Sequence, residues 1–146
     1  MITLIVSDGL SGAGKAALQA AKAVGIRTGG YTPPRMLSDI WAARFNLTPS
    51  PDHEELNIII ADATIIFGGI EPEWGRIAAT CKEIERPSLW LKNYEAPNAQ
   101  PEFRLWVERN GFKSLNITGS RGRGIEAGVE SFLLDILPFC RRGKVR

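Results

Sequence analysis

Thr3-Leu4-Ile5-Val6-Ser7-Asp8-Gly9-Leu10-Ser11-Gly12-Ala13-Gly14-Lys15-Ala16-Ala17-Leu18 is the stretch whose reading decides the fold. Leu4 to Val6 form a short apolar strand, and Ser7 to Gly14 a glycine-rich turn. Lys15 opens an alanine-rich helix in which Ala17, Ala20, Ala21 and Val24 share one face, small enough to lie close to a sheet. In such a junction backbone N–H groups converge where the helix dipole is positive, which makes a seat for phosphate or carboxylate. Gly9 to Lys15 fits the G-x-x-x-x-G-K spacing of a P-loop. Ala16 follows, however, where a magnesium-ligating hydroxyl is needed, so a working P-loop NTPase is not expected. The plainer reading is a tight connection whose glycines only permit close packing.

Working outward, Gly25 ends the first helix, and Ile26 starts a second strand that runs into Thr28-Gly29-Gly30-Tyr31. Thr32-Pro33-Pro34-Arg35 then leaves the sheet, because proline cannot donate to a ladder. Met36, Leu37, Ile40, Trp41 and Phe45 suggest a short helix, followed by a loop from Asn46 to Pro51; such an irregular stretch suits a lid over a ligand. Asp52 with Glu55 three residues on predicts a capping box, and Leu56, Ile59 and Ile60 a buried stripe. Thr64 to Phe67 forms the third strand. A second strand–glycine–helix junction follows at Gly68-Gly69, and Trp74, Ile77, Ala78, Cys81 and Ile84 fall at helical spacing.

Ser88 to Leu91 is the fourth strand, after Pro87. Pro101 suits the first turn of a helix carrying Phe103, Trp106 and Val107, with Asn110-Gly111 at its end. Ser114 to Ile117 is the fifth strand. Ile125, Val129, Phe132, Leu133, Ile136 and Leu137 form the last helical stripe, which Pro138 should end. Strands apolar on both faces, alternating with helices, predict a three-layer α/β fold: a Rossmann-like, doubly wound, mostly parallel five-stranded sheet with helices on both faces. Residues 1–138 are expected to form one domain and residues 139–146 a basic tail.

At 146 residues, one core is expected, and 44% apolar with 23% charged residues fits an ordinary globular chain with no membrane-length apolar run. The opening residues lack the basic and long apolar regions of a secretory signal, which predicts a cytoplasmic protein. Cys81 and Cys140 are too far apart in sequence to suggest a disulfide framework, and with His53 the sole histidine no protein-bound metal site or Ser-His-Asp triad is expected. Net charge is +2, gathered at Arg141, Arg142, Lys144 and Arg146; this reads as a solvated terminus rather than a nucleic-acid or lipid contact.

In a parallel sheet all strand carboxyl ends share one rim, where ligands bind. Four polar or glycine-rich elements are expected there: Asp8 to Gly14, Gly29-Gly30, Gly68-Gly69 and Thr118-Gly119-Ser120-Arg121-Gly122-Arg123-Gly124. The candidate binding set is Ser7, Asp8, Gly9, Leu10, Ser11, Gly12, Lys15, Gly29, Gly30, Gly68, Gly69, Thr118, Gly119, Ser120 and Arg121. Gly9, Ser11, Gly12 and Lys15 are placed on a phosphate, with Arg121 as a further anion contact.

The order of these motifs resembles the putative molybdenum carrier family, a LOG-like (SLOG) branch of Rossmann-type proteins. The series is Ser7 to Gly12 with Ala16-Ala17-Leu18, Gly25-Ile26, Gly29-Gly30-Tyr31 with Pro33, Ala43-Arg44 with Leu47, Asn57 with Asp62-Ala63-Thr64, and Leu115-Asn116-Ile117 with Gly119-Ser120-Arg121. The chain departs from the family's usual Gly-Gly-Gln-Thr-Gly run at Asp8 to Lys15, and from its glycine-threonine segment at Ile70 to Gly75. The resemblance implies a phosphorylated nucleotide-like or molybdopterin-like ligand, with a nucleotide or the molybdenum cofactor as guest. It also implies a carrier without chemistry of its own and a homo-oligomer, whose anchor would come from among Trp41, Trp74, Trp90 and Trp106.

LOG-like relatives hydrolyse nucleoside monophosphates with a glycine-rich segment, a glutamate and an arginine. By that likeness Glu73 and Arg121 are the catalytic candidates for an alternative activity, N-glycosidic hydrolysis. A third reading is an interaction protein with a degenerate pocket.

Overall fold

The computed structural model describes residues 1–69 and 72–142. Along the chain it places β1 (Leu4–Val6), α1 (Ala13–Ala23), β2 (Arg27–Thr32), α2 (Asp39–Arg44), β3 (Leu47–Pro49) and α3 (His53–Ile60). Then come β4 (Ala63–Phe67), α4 (Pro72–Ile84), β5 (Ser88–Leu91), α5 (Ala99–Asn110), β6 (Ser114–Gly119) and α6 (Arg123–Arg142). The strands form one sheet in the order β3-β2-β1-β6-β4-β5, and every neighbouring pair is parallel.

The chain steps outward from β1 through β2 to β3, crosses to β4 and β5, and returns to insert β6 beside β1. Period-2 alternation along β4 sends Ile65 and Phe67 to one face and Ile66 to the other. On the first face Phe67, Phe103 and Phe132 pack edge to face beneath α5 and α6, with centroids 5.2 and 5.8 Å apart along that chain of rings. On the second, Ile58 of α3 and Trp74, Ile77 and Cys81 of α4 cover Ile66. Each fully buried Ile, Leu or Phe contributes about 1.5–3 kcal/mol relative to exposure, so the layers are held mainly by these side chains. Ala16, Ala17, Ala20 and Ala21 are fully buried, and their small size lets α1 lie against both the sheet and α6.

Several elements of the structure differ from the sequence reading. The sheet has a sixth strand: Leu47-Thr48-Pro49 pairs with Gly30-Tyr31-Thr32. Pro49 is tolerated because β3 is an edge, and three residues ending in proline leave no alternating pattern to read. The capping box at Asp52 does not form, since Asp52 makes no side-chain cap bond. α3 turns Asn57 and Ile58 inward and leaves Ile59 and Ile60 exposed. Pro138 lies inside α6, which continues to Arg142, and Ile2 N–H reaches the Cys140 carbonyl at 2.8 Å. Lys144 and Arg146 lie outside the described residues. No helix among those described is long and apolar enough to cross a membrane.

Candidate functional site

The bend after β1 is built from its own side chains. Ser7 Oγ accepts the Gly9 N–H at 3.1 Å and donates to the Gly14 carbonyl at 2.9 Å, which ties the start of the bend to the first turn of α1. Asp8 Oδ1 accepts the Leu10 N–H at 3.0 Å, an Asx-type turn. The bend after β6 meets it directly: Ala13 N–H donates to the Ser120 carbonyl at 3.0 Å. Gly12 makes this contact possible, because it holds φ at 97° and a Cβ there would overlap the Ser120 carbonyl and lie 2.5 Å from Arg121 Cα. Ser120 N–H in turn bonds the Phe67 carbonyl at 3.0 Å, and Gly68 packs against the Ser120 side chain, so the end of β4 joins the same rim.

Gly29 and Gly30 do not follow the second strand, as the sequence suggests; they lie within β2, where Gly29 pairs with Val6. A Cβ on Gly30 would come within 2.7 Å of the Ser7 carbonyl and 2.9 Å of Asn57 Oδ1. Gly30 therefore permits close packing under the rim. Thr118 and Gly119 likewise close β6.

Above the joined bends is a cavity of about 440 Å³. One wall is Gly9, Leu10, Ser11 and Lys15, another is Arg121, and the third is the segment leading into α2, with Met36, Leu37, Ser38 and Trp41. Ser38 caps α2 by accepting the Trp41 N–H at 3.2 Å, which fixes the start of the helix that carries Trp41. Lys15 Nζ lies 5.4 Å from the Trp41 ring centroid.

The model of the circularly permutated YpsA SLOG family matches residues 5–137. The chain belongs to that family. It is also similar to the crystal structure of a putative molybdenum carrier protein from Syntrophus aciditrophicus SB, with a TM-score of 0.77 and 25% identity over 93% of this chain and 92% of that one. Among curated proteins none matches the chain.

In this member of the circularly permutated YpsA SLOG family the rim amides are largely engaged. The Gly9, Leu10, Gly12 and Ala13 N–H groups donate to Ser7, Asp8, Glu126 and Ser120 respectively. The cavity is consequently faced by side-chain groups, those of Ser11, Lys15 and Arg121, more than by an open nest of amides. Both cations have carboxylates beside them: Lys15 Nζ is 3.9 Å from Glu126 Oε2, and an Arg121 guanidinium nitrogen is 3.9 Å from Glu73 Oε2. The two catalytic candidates thus stand together at the rim.

Asp8 and Thr118 face a second, narrow crevice with Glu54, Asn57 and Asn116 on the α3 side of the sheet. Burial pushes the Asp8 carboxyl above its ordinary range, against the opposing pull of the Leu10 amide, His53 and Arg121. Burial also raises both thiols, Cys140 to about 11, so neither is an activated nucleophile at neutral pH. Among the described residues no cluster of three or more His, Cys, Asp or Glu forms a metal-ligand set.

Five of the residues expected from sequence line the cavity: Gly9, Leu10, Ser11, Lys15 and Arg121. Ser7, Gly12 and Ser120 build its floor through the bonds above, while Gly69 stands next to residues outside those described. Sequence reasoning missed Ser38 and Glu126. The segment carrying Met36, Leu37 and Trp41, which stands out in sequence for its length without regular pattern inside a small α/β domain, lies along the cavity wall.

Proposed function

We propose that the cavity binds a phosphorylated, nucleotide-like or pterin-like ligand, and that the chain carries this ligand without chemistry of its own. The contact between Ala13 N–H and the Ser120 carbonyl supports the reading most directly, because it draws Lys15 and Arg121, 106 positions apart in the chain, onto one cavity beside Trp41. A lysine and an arginine suit phosphate oxygens, and an indole edge suits a flat heteroaromatic ring. The similar structure from Syntrophus aciditrophicus bears the name of a molybdenum carrier. Here the cavity lining offers no thiolate or imidazole to coordinate molybdenum, so molybdenum cargo would be held through an organic part or through oxyanion oxygens.

Thermal shift and calorimetry with nucleoside mono- and diphosphates and with molybdate test this. At least one should raise the melting temperature and bind saturably. Lys15→Ala should weaken that binding about 10- to 100-fold, the loss of one charge-assisted hydrogen bond, and Gly12→Asp should abolish it by forcing the bends apart. No binding by any of these compounds removes the proposal.

The Glu73–Arg121 pair supports a second reading, a nucleoside-monophosphate phosphoribohydrolase in which Glu73 stabilises positive charge developing on ribose. Release of free base on incubation with nucleoside monophosphates, lost in Glu73→Ala, is the expected result; no release rejects it.

A further inference from the structure

We infer that Glu126 is a specificity-determining residue that restricts the guest to a single phosphoryl group and excludes polyphosphate chains; this rests on the binding reading above. Glu126 belongs to the first turn of α6, yet its carboxylate serves α1. Oε1 accepts the Gly12 N–H at 3.4 Å and Oε2 lies 3.9 Å from Lys15 Nζ. α1 itself has no acidic residue in its first turn and no side-chain cap, so Glu126 supplies the negative charge that this helix start lacks. A polyphosphate following a G-x-x-x-x-G-K turn needs the amide and ammonium that Glu126 already holds.

Two further features act in the same direction. Ala16, fully buried after Lys15, offers no oxygen to the magnesium that accompanies a triphosphate. Arg121 faces Glu73 as Lys15 faces Glu126, so the two cations of the cavity are matched by two carboxylates. A triphosphate would have to break both pairs and crowd its charge against both carboxylates, whereas one phosphoryl group can take a single cation and leave the other pair intact.

Calorimetry in magnesium-free buffer with AMP and ATP as probes, on the wild type, Glu126→Gln and Glu126→Asp, tests this, with thermal melts confirming that each protein is folded. The wild type should bind AMP at least about tenfold more tightly than ATP. Glu126→Gln should narrow that ratio about tenfold through tighter ATP binding, with ATP affinity becoming more salt-dependent. Glu126→Asp, which keeps the charge, should preserve the preference. If the wild type binds AMP but binds ATP equally well, or if Glu126→Gln leaves the ratio unchanged, the inference fails and the binding reading stands. If Glu126→Gln folds yet loses AMP, Glu126 is a structural support and the inference fails. If neither probe binds any of the proteins, the inference fails, and the binding reading is decided by the wider panel above.

Discussion

Asp8 closes β1 with a carboxyl that burial makes harder to ionise, although one of its oxygens must accept the Leu10 N–H to shape the bend. The folded chain therefore holds this proton more tightly than the unfolded chain, where the ordinary value is 3.8. The sign follows by linkage: the proton's contribution is full below that value and is lost as pH rises toward the folded-state value. Asp8→Asn keeps the acceptor oxygen and removes the charge. It should raise the melting temperature at about pH 7.5 and give a smaller gain at about pH 4, where more of the wild-type Asp8 carries its proton. Equal gains at both pH values would mean that desolvation of the ionised carboxylate does not burden the fold.

Asn57 joins α3 to the sheet beside the apolar contact that Ile58 makes with Ile66. Its side chain accepts the Tyr31 N–H at 2.7 Å and donates to the Tyr31 carbonyl at 2.9 Å, matching both backbone groups of one β2 residue as a neighbouring strand would. Asn57→Ala leaves those groups without this partner and should lower stability by about 2 kcal/mol in urea denaturation. Ile59→Ser and Ile60→Ser, on the exposed side of the helix, should each change it by less than about 0.5 kcal/mol. The reverse ranking would restore the stripe read from the sequence. That stripe misled because periodicity registers apolar side chains, whereas α3 docks through the Asn57 amide and Ile58 next to it; the edge strand β3 escaped for want of any pattern in three residues. The long stripes of α1, α4 and α6 were legible because alanine, tryptophan, isoleucine and leucine fill their buried sides at helical spacing. At the site, Lys15 and Arg121 were legible from glycine-rich turns after strands. Glu126 was not, because its partners Gly12 and Lys15 lie more than a hundred positions away in sequence.

Across the whole molecule, the central strands β1 and β6 come from opposite ends of the chain, and their bends build the floor of the cavity together. The ends also meet at the opposite edge of the sheet, where Ile2 N–H bonds the Cys140 carbonyl at 2.8 Å and Thr3 N–H bonds the Lys113 carbonyl at 2.8 Å. With Ile2 and Cys140 this close, loop closure changes chain entropy only modestly, so the order of elements along the chain is separable from their arrangement in space. A variant joined from its last residue to Met1 by a short glycine-serine linker, and opened between the exposed Pro97 and Asn98, should keep every strand pairing and both rim bends. Its far-ultraviolet circular dichroism should match the parent, and its urea stability should lie within about 2 kcal/mol. Any ligand found for the parent should bind with similar affinity, since Pro97 and Asn98 are not among the residues that line the cavity. If the permuted chain folds but loses the ligand, the geometry of the two bends depends on chain continuity through the β5–α5 loop, and the rim is less rigid than its Ala13–Ser120 bond implies.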